Sequence, residues 1–131
     1  MTNTFVGIAA VGGFLSFAVS AIVPEVPPIT VRSLEYESGI IHQSRTITAE
    51  GPVFFATWQA EILDRNGVIV CSGSGSWNYT VGHRIADIPL NEWVGDDGCS
   101  ARLEQGAEYT PVASWFWGSD QTTHKGDPFT F

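Results

Sequence analysis

The sequence predicts an all-β antiparallel sandwich carried behind a single N-terminal transmembrane helix. Three observations lead there. Phe5 to Val23 is an apolar run without one charged residue. Val53 to Tyr79 reads as a long β-hairpin closed by Asn66-Gly67. From Ile29 to the C-terminus, short β-rich runs alternate with turn residues, and no helical period returns. The expected organisation is a hydrophobic helix over 1–23, a Pro-rich spacer over 24–28 and a sandwich over 29–131.

A chain of 131 residues holds one domain and at most a short appendage. With 44% hydrophobic and 15% charged residues it is not a disordered polymer. The net charge of −8 rests on 14 acidic against 6 basic residues. Phosphate backbones are bound by clustered cations, and here the arginines (32, 45, 65, 84, 102) are scattered and Lys125 is the single lysine. Nucleic acid is therefore not an expected partner.

As a helix, Phe5–Val23 spans about 28 Å at about 1.5 Å per residue, which matches a bilayer's hydrocarbon core. Pro24 ends it, and Pro27-Pro28 continues as a stiff spacer. A buried core helix would be amphipathic, and this segment is apolar all round. A transmembrane anchor fits best. The competing reading is a cleaved signal peptide, with Ala18-Val19-Ser20 or Val19-Ser20-Ala21 as the cleavage site, although Met1-Thr2-Asn3-Thr4 lacks the usual positive charge. Gly12, Ser16 and Ser20 recur every four residues, a small-residue face on which a second membrane helix can pack closely. Membrane lipid and the helices of a larger complex, or of a homo-oligomer, are the partners this implies.

Ile29–Tyr36 and Ile40–Thr48 are the first expected strands, and Glu50-Gly51-Pro52 turns into the hairpin. Asn-Gly suits a two-residue type I′ turn, whose central residues both need positive φ. Counting outward from Arg65 and Val68 sets Ile62 opposite Cys71, Ala60 opposite Gly73, Trp58 opposite Gly75 and Ala56 opposite Trp77. Period-two alternation puts this set on one apolar face, where the glycines leave room for the Trp58 ring. Thr57, Gln59, Glu61, Ser72, Ser74 and Ser76 take the wet face. Further strands are expected at Arg84–Leu90, limited to an edge by Pro89, at Ser100–Leu103, at Ala107–Trp117 and at Asp127–Phe131.

Cys71 lies on the inward face and Cys99 follows Asp96-Asp97-Gly98. A disulfide pinning a loop to the sheet is expected, against the alternative of two separate buried thiols. The bridge would place the domain outside the reducing cytoplasm, periplasmic or extracellular.

Leu103-Glu104-Gln105-Gly106-Ala107-Glu108-Tyr109 resembles the Leu-x-x-Gly-x-x-Tyr corner of fibronectin type III and related immunoglobulin-like domains. The likeness implies that the Tyr109 hydroxyl bonds back to the backbone and fixes a crossover between two sheets. It covers seven residues closely and implies a fold, not an activity. The chain departs from antibody-type domains in its cysteine spacing and in having no Trp between its cysteines at the expected strand-C position.

No catalytic constellation emerges. His42, His83 and His124 stand alone, Ser72-Gly73-Ser74-Gly75-Ser76 lacks the helix and lysine of a phosphate loop, and Asp96-Asp97 lacks the spacing of a calcium loop. Neither a cofactor nor a metal is expected. The aromatic residues are the remaining lead. In Trp115-Phe116-Trp117 one parity (Tyr109, Ala113, Trp115, Trp117) enters the core, so Phe116, or Trp93 in its loop, is left to stand exposed; Trp93, Phe116 and Trp117 form the candidate binding surface. Two functions follow as expectations. The first is a non-catalytic structural or interaction protein of a membrane assembly or of a phage or virion. The second is a secreted carbohydrate- or surface-binding module.

Overall fold

The computed structural model describes residues 27–131 with the exception of 50 and 52. The expected leader helix, its Gly12/Ser16/Ser20 face and most of the spacer lie outside the described residues. Among the described residues no helix is long and apolar enough to cross a membrane.

Eight strands and two short helices follow in order: β1 Ile29–Glu37, β2 Ile40–Ile47, β3 Val53–Asp64, β4 Ile69–Thr80, β5 Gly82–Pro89, α1 Leu90–Val94, α2 Cys99–Arg102, β6 Glu108–Trp117, β7 Asp120–Lys125 and β8 Phe129–Thr130. They form two antiparallel sheets. The smaller has the order β1-β2-β5; the larger runs β4-β3-β6-β7, with β8 also pairing β6. The apolar faces meet in one core that includes Ile29, Leu34, Ile41, Ile47, Ile62, Tyr109 and Trp115.

The register of the long hairpin is the one obtained by counting: Ile62↔Cys71, Ala60↔Gly73, Trp58↔Gly75 and Ala56↔Trp77. Its turn is different. Only Gly67 has positive φ, at 81°, and its N–H donates to the Asp64 carbonyl (2.9 Å). The Asp64 carboxylate accepts from the N–H groups of Asn66 (2.8 Å) and Val68 (2.9 Å). That side chain favours a turn with a single left-handed glycine over the type I′ form. A register shift between Ile62 and Leu63 then restores the expected pairing. The two-positive-φ turn is used instead between β1 and β2, at Ser38 (φ 51°) and Gly39 (φ 87°).

Three further elements differ from the sequence reading. Ser100–Leu103 is not a strand, because Cys99–Arg102 forms α2. Leu90–Val94, where Trp93 was expected in a loop, forms α1, ended by Gly95 in the left-handed region. Asp120–Lys125 is the edge strand β7, which its polar sequence concealed. Cys71 and Cys99 are bonded, with Cα atoms 5.5 Å apart, and both are buried. The bridge fastens α2 to β4. The Tyr109 hydroxyl accepts from the Glu104 N–H at 2.7 Å, as the corner motif implies.

Candidate functional site

The two sheets do not close equally on both sides. Along β1 and β7 they are joined: the Asp127 N–H donates to the Leu34 carbonyl (3.0 Å), and Tyr36 stacks on Phe129 with centroids 4.1 Å apart. Along the other side the lips are β5 and β4, each the edge strand of its sheet. A cleft of about 580 Å³ opens between them, and α1 plugs one end of it.

The wall from the larger sheet is aromatic. Trp58 lies across the glycines of β4 and α1. A Cβ at Gly75 would sit 2.8 Å from the Trp58 ring, and one at Gly95 would sit 3.2 Å away. A Cβ at Gly73 would come within 1.8 Å of the Val94 carbonyl oxygen, so this glycine is what lets α1 settle on the strand. Trp77 faces inward with Ala56, but on an edge strand no neighbour covers it, and it remains 62% exposed. Tyr79 is buried behind it and accepts a hydrogen bond from Trp115 Nε1 (2.9 Å). Burial pushes the Tyr79 hydroxyl pKa up.

The smaller sheet supplies polar groups. The inward face of β2 carries Gln43 and Arg45 between Ile41 and Ile47. Gln43 is buried, and its Oε1 accepts from Trp93 Nε1 (3.0 Å). The Arg45 guanidinium lies over the Tyr79 ring, 5.2 Å from the centroid, a cation–π contact. Among the described residues Arg45 has no ion pair, and its buried Nε has no hydrogen-bond partner. Burial lowers its pKa from the ordinary arginine value, and the cross-strand Arg84 adds to the effect. Asp87 also borders the cleft, but its carboxylate turns outward to His42 Nδ1 at 2.6 Å.

The residues expected as a binding surface are not brought together. Trp93, expected exposed in a loop, is only 8% exposed: it sits on α1 as part of the cleft wall. Trp117 packs edge-on against Phe54 at the far end of the core. Phe116 pairs with Thr57, on the opposite face of the larger sheet from Trp58. Trp58, Trp77, Tyr79 and Arg45 were missed as site residues. The pairing of Trp58 with Gly75 was readable, but not that β4 would be an edge. Among the described residues no group of three or more His, Cys, Asp or Glu side chains could hold a metal. No protein-family model matches this chain, and no curated protein matches it.

Proposed function

We propose that this chain is a non-catalytic interaction or structural protein: an immunoglobulin-like sandwich of the fibronectin type III kind, displayed outside the cytoplasm by the apolar segment Phe5–Val23. It serves as an accessory subunit of a membrane assembly or as a component of a virus-like particle. Support for the fold type comes from the strand order. With β1 to β7 read as A, B, C, C′, E, F and G, the sheets are ABE and C′CFG, with Tyr109 at the start of F.

The observation that carries the display reading is the polarity of the described domain. The leader joins at the end where β1 begins, which is also where β3 and β5 begin and β4 ends. Exposed Val53, Phe55 and Val81 stand there, with Arg32 and Arg84 on the adjoining strands and Asp120 at the start of β7. Glu37, Asp64, Glu92, Asp96, Asp97, Glu104 and Glu108 lie at the opposite end, together with Arg65, Arg102 and the exposed Val68 and Ile69. Exposed apolar side chains and two arginines at the end where β1 begins suit the surface of an anionic bilayer. The Cys71–Cys99 bond suits an oxidising compartment. In lipid, Gly12, Ser16 and Ser20 are the face that would meet a partner helix.

Fractionation tests it. The full chain expressed in a Gram-negative host should stay in the membrane pellet through carbonate extraction, with its domain accessible to protease from the periplasm. Full recovery in the soluble fraction with Met1 retained would refute it. The second reading, a secreted surface-binding module, is favoured by Trp77 at the cleft mouth. N-terminal sequencing separates the two, since a mature start at Ala21 or Ile22 means secretion.

A further inference from the structure

We infer that the cleft between β4 and β5 is a binding site for an acidic saccharide, a glycan carrying uronic acid or a similar carboxylated sugar. Two side chains set the chemistry. Trp77 offers an indole face that is 62% exposed on the inward side of its sheet, and the partly buried Trp58 continues the aromatic wall, held in a slot that any side chain at Gly75 would close. A pyranose stacks its C–H face on such a ring and leaves its hydroxyls in water. An open lip with one exposed ring serves that geometry, whereas a flat apolar ligand gains most from enclosure.

Arg45 supplies the acidic preference. It stands on the opposite wall with its guanidinium aligned on Tyr79 and no carboxylate of the described residues paired to it. A planar guanidinium with unused donors matches a sugar carboxylate in a two-pronged contact. Arg84 lies opposite Arg45 in the register and adds a second positive charge to the same face. Two carboxylates also border the cleft. Asp87 is engaged by His42 on the outer face, and Glu92 is exposed at the rim, where it can accept from sugar hydroxyls. The cleft's volume, about 580 Å³, lies within the range of small-molecule sites. Because the lips β4 and β5 are unpaired edges while α1 plugs one end, a short sugar chain enters from the open side.

This inference deepens the surface-binding reading but rests on the cleft alone. The fractionation result therefore stands whatever the glycan experiment returns. Full chain in detergent micelles is titrated with oligogalacturonate and, separately, with a neutral galactose oligomer of equal length, following tryptophan emission and heat. Oligogalacturonate should bind at least 10-fold more tightly than the neutral oligomer. Trp77→Ala, at an exposed site that carries little of the fold, should weaken both by 10-fold or more. Arg45→Gln should erase the acidic preference while neutral binding persists, and Arg45→Lys should restore part of it. No binding of either oligomer at millimolar concentration would overturn the proposal. So would equal affinity for the two, or binding unchanged in Trp77→Ala and Arg45→Gln. Binding of an extended peptide at this lip in preference to both oligomers would overturn it too, in favour of strand addition to the β4 or β5 edge.

Discussion

Gly73 and Gly75 sit two residues apart on one strand and answer to different neighbours. At Gly73 a methyl group meets backbone, the Val94 carbonyl, which cannot turn aside. At Gly75 it meets only the Trp58 ring. Overpacking of this kind costs about 1–3 kcal/mol and more where backbone must move. Gly73→Ala should therefore unfold the chain at markedly lower denaturant, while Gly75→Ala should lose less stability and shift Trp58 emission. Equal losses with unchanged emission would contradict the slot. His42 is the residue whose charge the fold biases most openly. Its pKa is raised above 6.5, chiefly by the hydrogen bond to Asp87 and further by the charges of Asp87, Glu37 and Glu35. The fold thus favours the imidazolium. That contribution is fully present below pH 6.5 and is lost as pH rises through the raised value. A histidine-resolved NMR titration should place the His42 midpoint above 6.5 and bring it down in Asp87→Asn; the same midpoint in both proteins would refute the pairing.

Among the elements, legibility followed the length of the pattern. The β3–β4 hairpin was readable residue by residue because twelve-residue strands repeat their alternation many times. Its turn was not, because Asp64, outside the Asn-Gly pair, decides the form. Helices α1 and α2 have five and four residues and no side-chain cap hydrogen bond, so neither a period nor a cap betrays them. They are held by tertiary packing: Trp93 and Val94 are buried, and Cys99 is bonded to Cys71. The cleft was half legible for the same reason. Sequence placed Trp58 and Trp77 on the inward face, while the edge position that exposes Trp77 is a property of the completed sheet. The disulfide closes a loop of sequence separation 28, for which the chain-entropy account gives roughly 3–4 kcal/mol. Cys71→Ser/Cys99→Ser should lose about that much in chemical denaturation and lower Tm by roughly 15 °C or more. A loss under about 1 kcal/mol would mean that α2 stays docked without its tether.

At the scale of the whole molecule the decisive property is the separation of its charges. The chain is acidic overall, at −8; among the described residues most acids lie toward the ends of β1 and β3 and around α1 and α2, with Arg65 and Arg102 among them, while Arg32, Arg45 and Arg84 lie toward the start of β1, as does Asp120. Such an arrangement turns the negative pole away from an anionic surface and brings the arginines toward it. Each basic residue near such a surface contributes about 1 kcal/mol, so Arg32 and Arg84 together outweigh thermal energy roughly threefold. The attraction is screened when the Debye length falls from about 10 Å at 0.1 M salt to about 3 Å at 1 M. If Phe5–Val23 holds the domain at a bilayer, as proposed, orientation and not capture is what these charges set. In vesicles of phosphatidylcholine with 30% phosphatidylglycerol, backbone amides at Val53–Phe55 and Thr80–Gly82 should exchange hydrogen more slowly than in neutral phosphatidylcholine vesicles. The difference should vanish at 1 M salt and in Arg32→Gln/Arg84→Gln. Phe55→Ser/Val81→Ser should weaken the protection at every salt concentration, because those side chains contribute apolar contact that salt does not screen. Exchange that is the same in both lipids and unaffected by either double substitution would mean that the domain stands clear of the bilayer, and that its polarity serves another surface.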